Sequence, residues 1–425
     1  MVGPMASVSA GSPRGASRGS VAAAAAAAAA GVEAGGGDDM VEIPADGRIL
    51  LVGITGVTGR SALQGLLTVA GPGRTAHSLL ALTRNPGGAA ARALPPGIQA
   101  VYGTQVVAGD LDEPYTLGPA LRGVTAVYCH ALSKDASTAD PQELIRARKL
   151  AEAAKAAGVR LIMYNSSGGR GCGYGITQME QKHRIEDVMA AEVPTVALRA
   201  SMFMEELWKR YTRPGILKGR FIWSTPSDRP VQLVAARDMG LAAGCLISGV
   251  GQQSAAALAT TSGGSRISVP WDQGAPGREA ATTTTKQQQQ QSGRRLRLRA
   301  IELSGDELSP AQMCEVFAKV QGQPVRHHRA PAWPFWFLAR DVFRISRFLT
   351  ERGFTGDVAA CRAQFPGMLT FEDFLRATRW AEHSRSYEDG IAFAEGTTEA
   401  AAASTTTTAA ATTAAAGSGG GQPRG

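Results

Sequence analysis

Positions 48–60 carry the sequence RILLVGITGVTGR, in which an apolar run leads directly into three glycines at a spacing of three. The apolar run predicts a buried strand, and residues 58–69 predict a helix. Gly53 permits a tight turn out of the strand, Gly56 lets the backbone approach a pyrophosphate, and Gly59 allows the helix to pack closely on the sheet. The stretch therefore predicts a dinucleotide-binding turn; a glycine-rich turn that holds no ligand is the alternative.

Short apolar runs alternate with helix-forming segments through the first half of the chain. Further strands are predicted at 78–82, 106–108, 126–129, 160–164 and 195–198, and further helices at 143–157 and 182–191. This alternation is typical of an α/β protein with a parallel sheet and helices on both faces. We therefore predict a doubly wound Rossmann sheet, whose ligands bind at the carboxyl ends of the strands, followed by a smaller, mostly helical C-terminal lobe.

Compositional bias divides the chain of 425 residues into segments. Runs of Ala, Gly, Ser, Thr and Gln mark three stretches that bury too little apolar surface to offset their ordering entropy. We predict an unstructured N terminus at 1–45, a Rossmann domain at 46–249, a low-complexity insertion at 250–293, the last strand or strands with the C-terminal lobe at 294–395, and an unstructured tail at 396–425.

The N-terminal segment leaves two compartments open. It contains Arg14 and Arg18 and has no acidic residue before Glu33, as is typical of organelle transit peptides. A low-complexity tail without a targeting function is the other interpretation. We therefore predict a cytoplasmic protein or, if residues 1–45 are a transit peptide, a protein of the plastid or another organelle.

Composition also argues against several classes of site and partner. The five cysteines stand singly, which argues against a disulfide scaffold, and the six histidines form no metal-binding pattern, so we expect no metal. No run of 18 apolar residues occurs outside the Ala-rich N terminus, so we expect no transmembrane helix. The net charge of +8 is spread along the chain and does not form the clustered basic face of a nucleic-acid-binding protein.

The end of the second predicted strand indicates which dinucleotide would bind. The sequence there is Leu82-Thr83-Arg84-Asn85, without the acidic residue that bonds the ribose 2′-OH of NAD. The guanidinium of Arg84 can instead pair with a 2′-phosphate, which favours NADP(H). A solvated surface arginine is the alternative. After the third strand, Asp110 could accept a hydrogen bond from the adenine amino group or begin a helix.

Seven motifs in order resemble the NmrA-like branch of the atypical short-chain dehydrogenase/reductase superfamily. They are GITGVTGR at 53–60, TRNP at 83–86, GDLDE at 109–113, YNSSGG at 164–169, MEQKHRIEDV at 179–188, ALRASMFMEEL at 197–207 and ELSGDELSP at 302–310. The biased tails and the 250–293 insertion have no counterpart in that family. The family includes NADP(H)-binding regulators that sense redox balance as well as reductases.

The resemblance implies a set of residues that would surround bound NADP(H). Around the pyrophosphate these are Gly53, Ile54, Thr55, Gly56, Val57, Thr58 and Gly59; at the 2′-phosphate Arg84 and Asn85; at the adenine Asp110 and Leu111; at the nicotinamide ribose His130, Ala131, Leu132, Arg146 and Lys182; and over the nicotinamide Phe203, Met204, Glu205 and Glu206. The chain departs from the family where Gly87 and Gly88 replace basic residues, and where Ala200 replaces a common proline.

The standard catalytic pair of short-chain reductases is absent. Those enzymes use a tyrosine as proton donor with a lysine four residues later, and a serine that orients the substrate. Four residues before Lys182 stands Gln178, which cannot donate a proton as an acid. The remaining catalytic candidates are Tyr174 in a glycine-rich loop, Lys182 acting directly as the acid, and Ser166 as the orienting hydroxyl. A solvated lysine and a turn-forming serine are the alternatives.

Two functions from different classes remain. The first is an NADP(H)-binding regulator that responds to the NADPH/NADP⁺ ratio, which the missing tyrosine favours. The second is an NADPH-dependent reductase of a small carbonyl or quinone. The aromatic and arginine-rich segment 332–349 indicates core packing of the C-terminal lobe over the cofactor cleft, a wall of a substrate site, or a face that binds a protein partner.

Overall fold

Strand Arg48–Val52 lies next to the central strand of a seven-stranded parallel sheet. The computed structural model describes residues 40–44, 46–70, 78–92, 94, 105–133, 140–249, 265–268, 297–331, 336 and 339–387, all of which belong to one compact unit. Residues 1–39 and 396–425 of the predicted tails and most of the predicted insertion lie outside the described residues.

Fourteen strands and eleven helices are found in the described part of the chain. The strands are β1 Met40–Ile43, β2 Arg48–Val52, β3 Ser78–Thr83, β4 Gln105–Ala108, β5 Val124–Cys129, β6 Leu161–Ser167, β7 Thr195–Ala200, β8 Met202–Phe203, β9 Arg220–Trp223, β10 Val231–Val234, β11 Ser265–Ser268, β12 Leu298–Leu303, β13 Asp306–Leu308 and β14 Arg326–Arg329. The helices are α1 Val57–Ala70, α2 Ala89–Arg92, α3 Leu117–Ala120, α4 Gln142–Ala156, α5 Thr177–Glu192, α6 Arg213–Leu217, α7 Ala236–Ser248, α8 Pro310–Gln321, α9 Arg340–Glu351, α10 Val358–Gln364 and α11 Phe371–Ala377. Two 3₁₀ helices span Pro114–Thr116 and Met204–Trp208.

The main sheet has the order β4-β3-β2-β5-β6-β7-β12, and every neighbouring pair is parallel. The strand order reverses between β2 and β5, so the chain leaves these two strands in opposite directions. Ligands of doubly wound folds bind in the crevice that such a reversal opens at the carboxyl ends of the strands. The predicted Rossmann sheet is therefore confirmed, and its switch point lies next to the glycine turn.

Helices cover both faces of the main sheet. One face packs against apolar side chains of α1 and α7, such as Leu66 and Met239, and the other against side chains of α4 and α5, such as Leu150 and Ile185. Both faces of the central strands are buried, which explains why their sequences are continuous apolar runs.

The glycines of α7 explain why this helix was not predicted from the sequence. Glycine has a low helix propensity, and α7 contains two. A Cβ at Gly240 would lie 1.7 Å from the Ala62 carbonyl oxygen of α1, and a Cβ at Gly65 of α1 would lie 1.8 Å from the Arg237 carbonyl oxygen. Glycine is therefore required where the two helix backbones touch, and packing outweighs propensity.

Two short strands fall within segments that the composition predicts to be unstructured. Met40–Ile43, at the end of the 1–45 segment, pairs antiparallel with Ser265–Ser268, inside the 250–293 insertion. Ile43 is fully buried in the main core, which gives this pairing an apolar anchor. Each of these two segments thus contributes a strand to the described structure.

The C-terminal lobe has its own apolar core and is not only helical. Its core contains Trp208, Phe221, Phe317, Phe371 and Trp380. Two small sheets, β8-β10-β13 and β9-β14, accompany helices α6 and α8 to α11. Residues 202–234 contribute to this core as well as those after β12, so the lobe is assembled from two separate parts of the sequence.

Candidate functional site

The three glycines of the turn after β2 meet different surroundings. Gly53 has φ +78°, and a Cβ there would lie 2.5 Å from the Ala131 carbonyl oxygen. A Cβ at Gly59 would lie 2.1 Å from the Gly53 carbonyl oxygen. Gly56 is exposed, and a Cβ there would meet its first neighbour at 4.0 Å. The fold itself requires the first and third glycines, whereas the second keeps open the space beside the N terminus of α1, where a phosphate could bind.

The other residues of the turn differ in how deeply they are buried. Ile54 is fully buried in the core, whereas Thr55, Val57 and Thr58 are half-buried. The Thr58 hydroxyl lies 3.1 Å from His130 Nε2. The turn after β2 is therefore tied directly to the residue that follows β5.

The loop after β3 presents an arginine to solvent. Arg84 is exposed, and among the described residues its guanidinium has no hydrogen-bonding or ion-pair partner. Asn85 Oδ1 accepts a hydrogen bond from Gly87 N at 3.1 Å, which shapes the loop into a turn. Arg92 of α2 donates from Nη1 to the Gly87 carbonyl oxygen. The side chain of Arg92 thus brings a second cation to the loop that contains Gly87 and Gly88.

Arg146 connects the loops that follow β4 and β5. Its Nε lies 2.7 Å from Asp112 Oδ1, and its Nη1 lies 2.6 Å from Asp140 Oδ2 and 3.1 Å from the Leu132 carbonyl oxygen. Asp110 Oδ1 accepts from Asp112 N at 3.0 Å. The guanidinium of Arg146 is buried in these contacts, so the structure gives it the geometry of a loop-positioning residue. Leu111, beside Asp110, packs on the core below.

A buried polar cluster joins the ends of β5 and β6 behind the glycine turn. His130 Nδ1 lies 3.1 Å from the Tyr128 hydroxyl and 3.3 Å from Asn165 Nδ2. Asn165 Nδ2 donates to the His130 carbonyl oxygen at 3.0 Å. Alternate residues of a strand point to the same face, which brings Tyr128 and His130 together beside Asn165.

The partners of His130 determine its protonation. The Asn165 amide nitrogen can only donate, so Nδ1 is the acceptor, also for the Tyr128 hydroxyl, and Nε2–H donates to Thr58. Burial, with a smaller contribution from the charge of Lys182, lowers the pKa of His130 to about 3. The imidazole is therefore neutral at physiological pH. Because Thr58 accepts from the ring, its own O–H remains a donor for a ligand at the turn.

Lys182 lies on α5 at the ends of β5 and β6. Its Nζ is 5.6 Å from the centroid of the Tyr164 ring. The side chain is half-buried, and in the described ranges no carboxylate lies within ion-pair distance of Nζ. The Tyr164 hydroxyl and Asn165 Oδ1 are buried and also have no hydrogen-bonding partner among those residues. A cation, a hydroxyl and an amide oxygen near the switch point are thus unpaired, as expected where a polar ligand binds.

Ser166 belongs to a buried ionic network rather than to this polar cluster. Its hydroxyl donates to Glu186 Oε1 at 2.5 Å. Glu186 also pairs with Arg199 and Arg170, both at 2.7 Å. Burial by itself would raise the pKa of Glu186, but hydrogen bonds and charge from Arg199 outweigh it and lower the pKa. Ser166 therefore points away from Asn165, toward α5.

The hydroxyl of Tyr174 is engaged with the C-terminal lobe. It donates to Glu351 Oε2 at 2.9 Å, and the ring packs edge-on against Phe348 at a centroid distance of 5.6 Å. Burial, followed by the hydrogen bond to Glu351, raises the pKa of Tyr174. The loop 168–175 that carries it is anchored at its other end by Arg170, whose Nη2 bonds both oxygens of Asp187 at 2.8 Å.

The segment proposed to close over the nicotinamide contains one buried acid. Phe203 and Met204 pack into the protein, and Glu206 pairs with Lys209 at 2.7 Å. Glu205 Oε1 accepts from Ala236 N at 2.9 Å, whereas Oε2 is buried without a partner in the described structure. Burial raises the pKa of Glu205 to about 8. The carboxyl is therefore mostly protonated at neutral pH.

The fold assembles the predicted residues into two groups. The glycine turn, His130, Ala131 and Lys182 meet at the switch point between β2 and β5, with the Arg84 loop at the end of the next strand. Ser166 and Tyr174 lie in contacts directed elsewhere. Sequence reasoning missed Asn165, whose signal was a polar residue at the end of the apolar run RLIMY.

Neither a metal site nor a membrane span is present in the described ranges. No group of three or more His, Cys, Asp or Glu residues there could hold a metal ion. Likewise, none of the helices in this part of the protein has the length and apolar character needed to cross a bilayer.

Comparisons with known proteins agree with this architecture. A model of the NmrA-like family matches residues 45–263. The photosystem II assembly factor Ycf39 of Trieres chinensis is 28% identical over 200 residues, which cover 45% of this chain and 56% of that protein. The match thus spans little more than half the length of this relative.

Two solved structures share the fold. An NADPH-dependent quinone oxidoreductase of Escherichia coli in complex with NADPH has a TM-score of 0.53 and 20% identity, covering 77% of this chain and 98% of its own. The triphenylmethane reductase of Citrobacter sp. in complex with NADP(H) has a TM-score of 0.53 and 15% identity, with 76% and 97% covered. At these identities the likeness shows the fold alone.

Proposed function

The chain belongs to the NmrA-like family, and from this we propose that it binds NADP(H) and acts as a redox-responsive regulator. Two solved proteins of the same fold are in complex with NADPH or NADP(H), which supports this cofactor. The regulator would respond to the ratio of NADPH to NADP⁺. A reductase is the second candidate.

The binding part of the proposal rests on residues that fit the cofactor. The open space at Gly56 and the N terminus of α1 suit the pyrophosphate. The free guanidinium of Arg84 suits the 2′-phosphate, with Arg92 as a second cation beside it. The unpaired Lys182 ammonium and Asn165 Oδ1 suit the hydroxyl and amide groups of the nicotinamide end.

One observation carries the regulatory part. The two hydroxyls that the sequence offers for catalysis are committed to carboxylates: Ser166, the orienting candidate, to Glu186, and Tyr174, the proton-donor candidate, to Glu351. Gln178 stands where short-chain reductases have the donor tyrosine. Hydride transfer to a carbonyl needs a proton at the forming alkoxide. A chain that binds the cofactor but engages these two catalytic candidates in structural contacts is suited to sensing it.

Two polar groups near the switch point, the Lys182 ammonium and the Tyr164 hydroxyl, favour the reductase alternative. The Lys182 ammonium lies against the Tyr164 ring, and the Tyr164 hydroxyl has no partner among the described residues. Lys182 could protonate a product directly. The quinone oxidoreductase of similar fold supports a quinone as the substrate of such a reaction.

Affinity and turnover measured on the same protein distinguish the two functions. We expect calorimetry to show binding of NADPH and NADP⁺, limited proteolysis to differ between the two forms, and no NADPH consumption with a panel of quinones and small carbonyls. A sensor must respond differently to the two redox states. Steady consumption with any acceptor would contradict the regulator, and Lys182→Ala against Tyr174→Phe would then identify the proton donor.

The compartment and a protein partner are parts of the same proposal. Similarity to a photosystem II assembly factor supports the plastid alternative over the cytoplasmic one. Residues 1–45 fused to a fluorescent protein should then direct it to plastids, and a diffuse cytoplasmic signal would contradict this.

A regulator also requires a partner. The C-terminal lobe exposes Trp336 and Val342 beside the arginines of α9, and this surface is a candidate contact for a protein partner.

A further inference from the structure

A cavity of about 350 Å³ lies in the C-terminal lobe, away from the strand ends that form the dinucleotide site. It opens between α9 and the residues that follow β9 and β14. The described lining residues are Ser224, Arg329, Ala330, Pro331, Ser346, Arg347, Thr350 and Glu351. Its size is at the lower end of the range of about 300–1,000 Å³ that is typical of small-molecule sites.

Two guanidinium groups line this cavity. Arg329 Nε lies 3.3 Å from the Ser224 carbonyl oxygen, and no carboxylate among the described residues pairs with this side chain. Arg347 bonds Glu351 through Nε and Nη2, at 2.9 and 3.0 Å, which leaves its Nη1 without a hydrogen bond in that part of the chain. The cavity therefore has cationic donors that no described residue uses.

The single carboxylate in the lining is already compensated. Glu351 accepts from Arg347 and also from the Tyr174 hydroxyl, at 2.9 Å. These bonds lower the pKa of Glu351 and keep its charge directed at its partners. Arg329 is thus the uncompensated charge, and the cavity as a whole favours an anion.

Hydroxyl groups complete the lining. The buried Ser346 donates to Ser224 Oγ at 2.5 Å, and Thr350 lies one turn further along α9. Hydroxyls both donate and accept hydrogen bonds, so they suit a ligand that carries polar groups besides its charge.

We propose that this cavity binds a small polar organic anion, a phosphate ester or a carboxylate, with Arg329 and Arg347 on the oxyanion and the Ser/Thr hydroxyls on the rest of the molecule. Guanidinium groups bind both oxyanions through paired hydrogen bonds. The site does not depend on NADP(H) binding.

Calorimetric titration with three probes tests the site. Glucose 6-phosphate and citrate represent the two anions, and glucose is the neutral match. We expect saturable binding of at least one anion and none of glucose. Arg329→Gln should weaken that binding about tenfold or more, because the amide keeps a donor for Ser224 but removes the charge. Thr350→Val, which changes shape little, should weaken it less.

Arg326→Gln is the matched control, since Arg326 is exposed on the same strand and does not line the cavity. The Arg326→Gln variant should bind the anion with an affinity within about twofold of that of the native protein. Arg84→Ala should do the same, which separates this site from the dinucleotide site. Absence of saturable anion binding, equal binding of glucose, or an equal loss in Arg326→Gln would each overturn the proposal.

Discussion

The Ser166 hydroxyl donates to Glu186 Oε1 at 2.5 Å, and this hydrogen bond links the end of strand β6 to helix α5. The same carboxylate holds Arg199 and Arg170, so strand, helix and the loop 168–175 meet at one buried charge. Ser166 therefore has a structural role in this network, which its position at the end of a strand did not predict.

Ser166→Ala should reduce stability and leave cofactor affinity unchanged. Removal of a buried hydrogen-bonding group costs about 1–3 kcal/mol, and the remaining partners of Glu186 limit the loss. Urea unfolding and NADPH titration on the same sample measure both quantities. Ser167→Ala, which changes the neighbouring half-buried serine, is the control. A loss of NADPH affinity with full stability would show that Ser166 faces the ligand.

Gly56→Ala and Gly59→Ala should separate binding from folding. Alanine at Gly56 enters open space, so stability should change by about 1 kcal/mol or less while dinucleotide affinity is lost. Alanine at Gly59 would overlap the Gly53 carbonyl oxygen and should destabilise by about 3 kcal/mol or more. Thermal unfolding and calorimetry test this pair. Unchanged NADPH binding in Gly56→Ala would be incompatible with a phosphate at that position.

Arg84→Ala should weaken the binding of NADPH and NADP⁺ by about ten- to a hundredfold and leave the binding of NADH unaffected. The reason is that only the phosphorylated forms carry the 2′-phosphate. Arg148→Ala, an exposed arginine of α4, controls for general charge. Equal losses for NADH and NADPH would mean that Arg84 does not contact the extra phosphate.

Glu205 should make stability fall as pH rises toward 8. Its pKa in the folded protein is about 8, against 4.5 normally, so the folded state holds a proton that the unfolded chain releases. The contribution of Glu205 to stability is then full below pH 4.5 and declines up to about pH 8, by at most about 1.4 kcal/mol per pH unit.

The variant Glu205→Gln keeps the acceptor for Ala236 N and has no proton to lose. Between pH 6.5 and 8, above the pKa of about 6 that burial gives the neighbouring Asp238, its urea midpoint should stay level while that of the native protein falls. Glu206→Gln, at a half-exposed site, should behave like the native protein. If the urea midpoint of Glu205→Gln fell with pH as steeply as that of the native protein, Glu205 would not hold a buried proton.

Arg213 should be critical for the C-terminal lobe. Its guanidinium carbon lies 4.1 Å from the centroid of the Trp208 ring and 5.4 Å from that of Trp380, and it donates at 2.6 Å to the carbonyl oxygens of Trp380, Glu382 and Arg385. Arg213→Ala should destabilise by about 3–5 kcal/mol.

Arg213→Lys should recover only part of that stability, since an ammonium cannot span three carbonyls from between two rings. Urea unfolding compares both variants with Arg210→Ala, an exposed neighbour. Native stability in Arg213→Ala would show that the 380–385 segment is held by other contacts.

Periodicity and glycine spacing predicted the sheet well because its strands are buried on both faces and its first turn has strict steric needs. Strands β2 to β7 and helices α1 and α4 were found close to the predicted positions, whereas α5 begins at Thr177 rather than at residue 182. Helix α7 was missed because its glycines oppose helix formation locally and are explained only by the backbone of α1 against it. The pairing of β1 with β11 joins residues more than 200 positions apart, which local patterns do not encode.

The sequence by itself determined the Rossmann sheet, the glycine turn after its first strand and the place of Arg84, since each depends on a few neighbouring residues and the backbone geometry they allow. Only the tertiary structure decided the partners of the reactive side chains. Ser166, Tyr174 and Arg146 each bond a residue from another element, and an unpaired Lys182 is left beside Tyr164. A hydroxyl or a charge takes its role from what it touches, and those contacts form only when distant segments pack together.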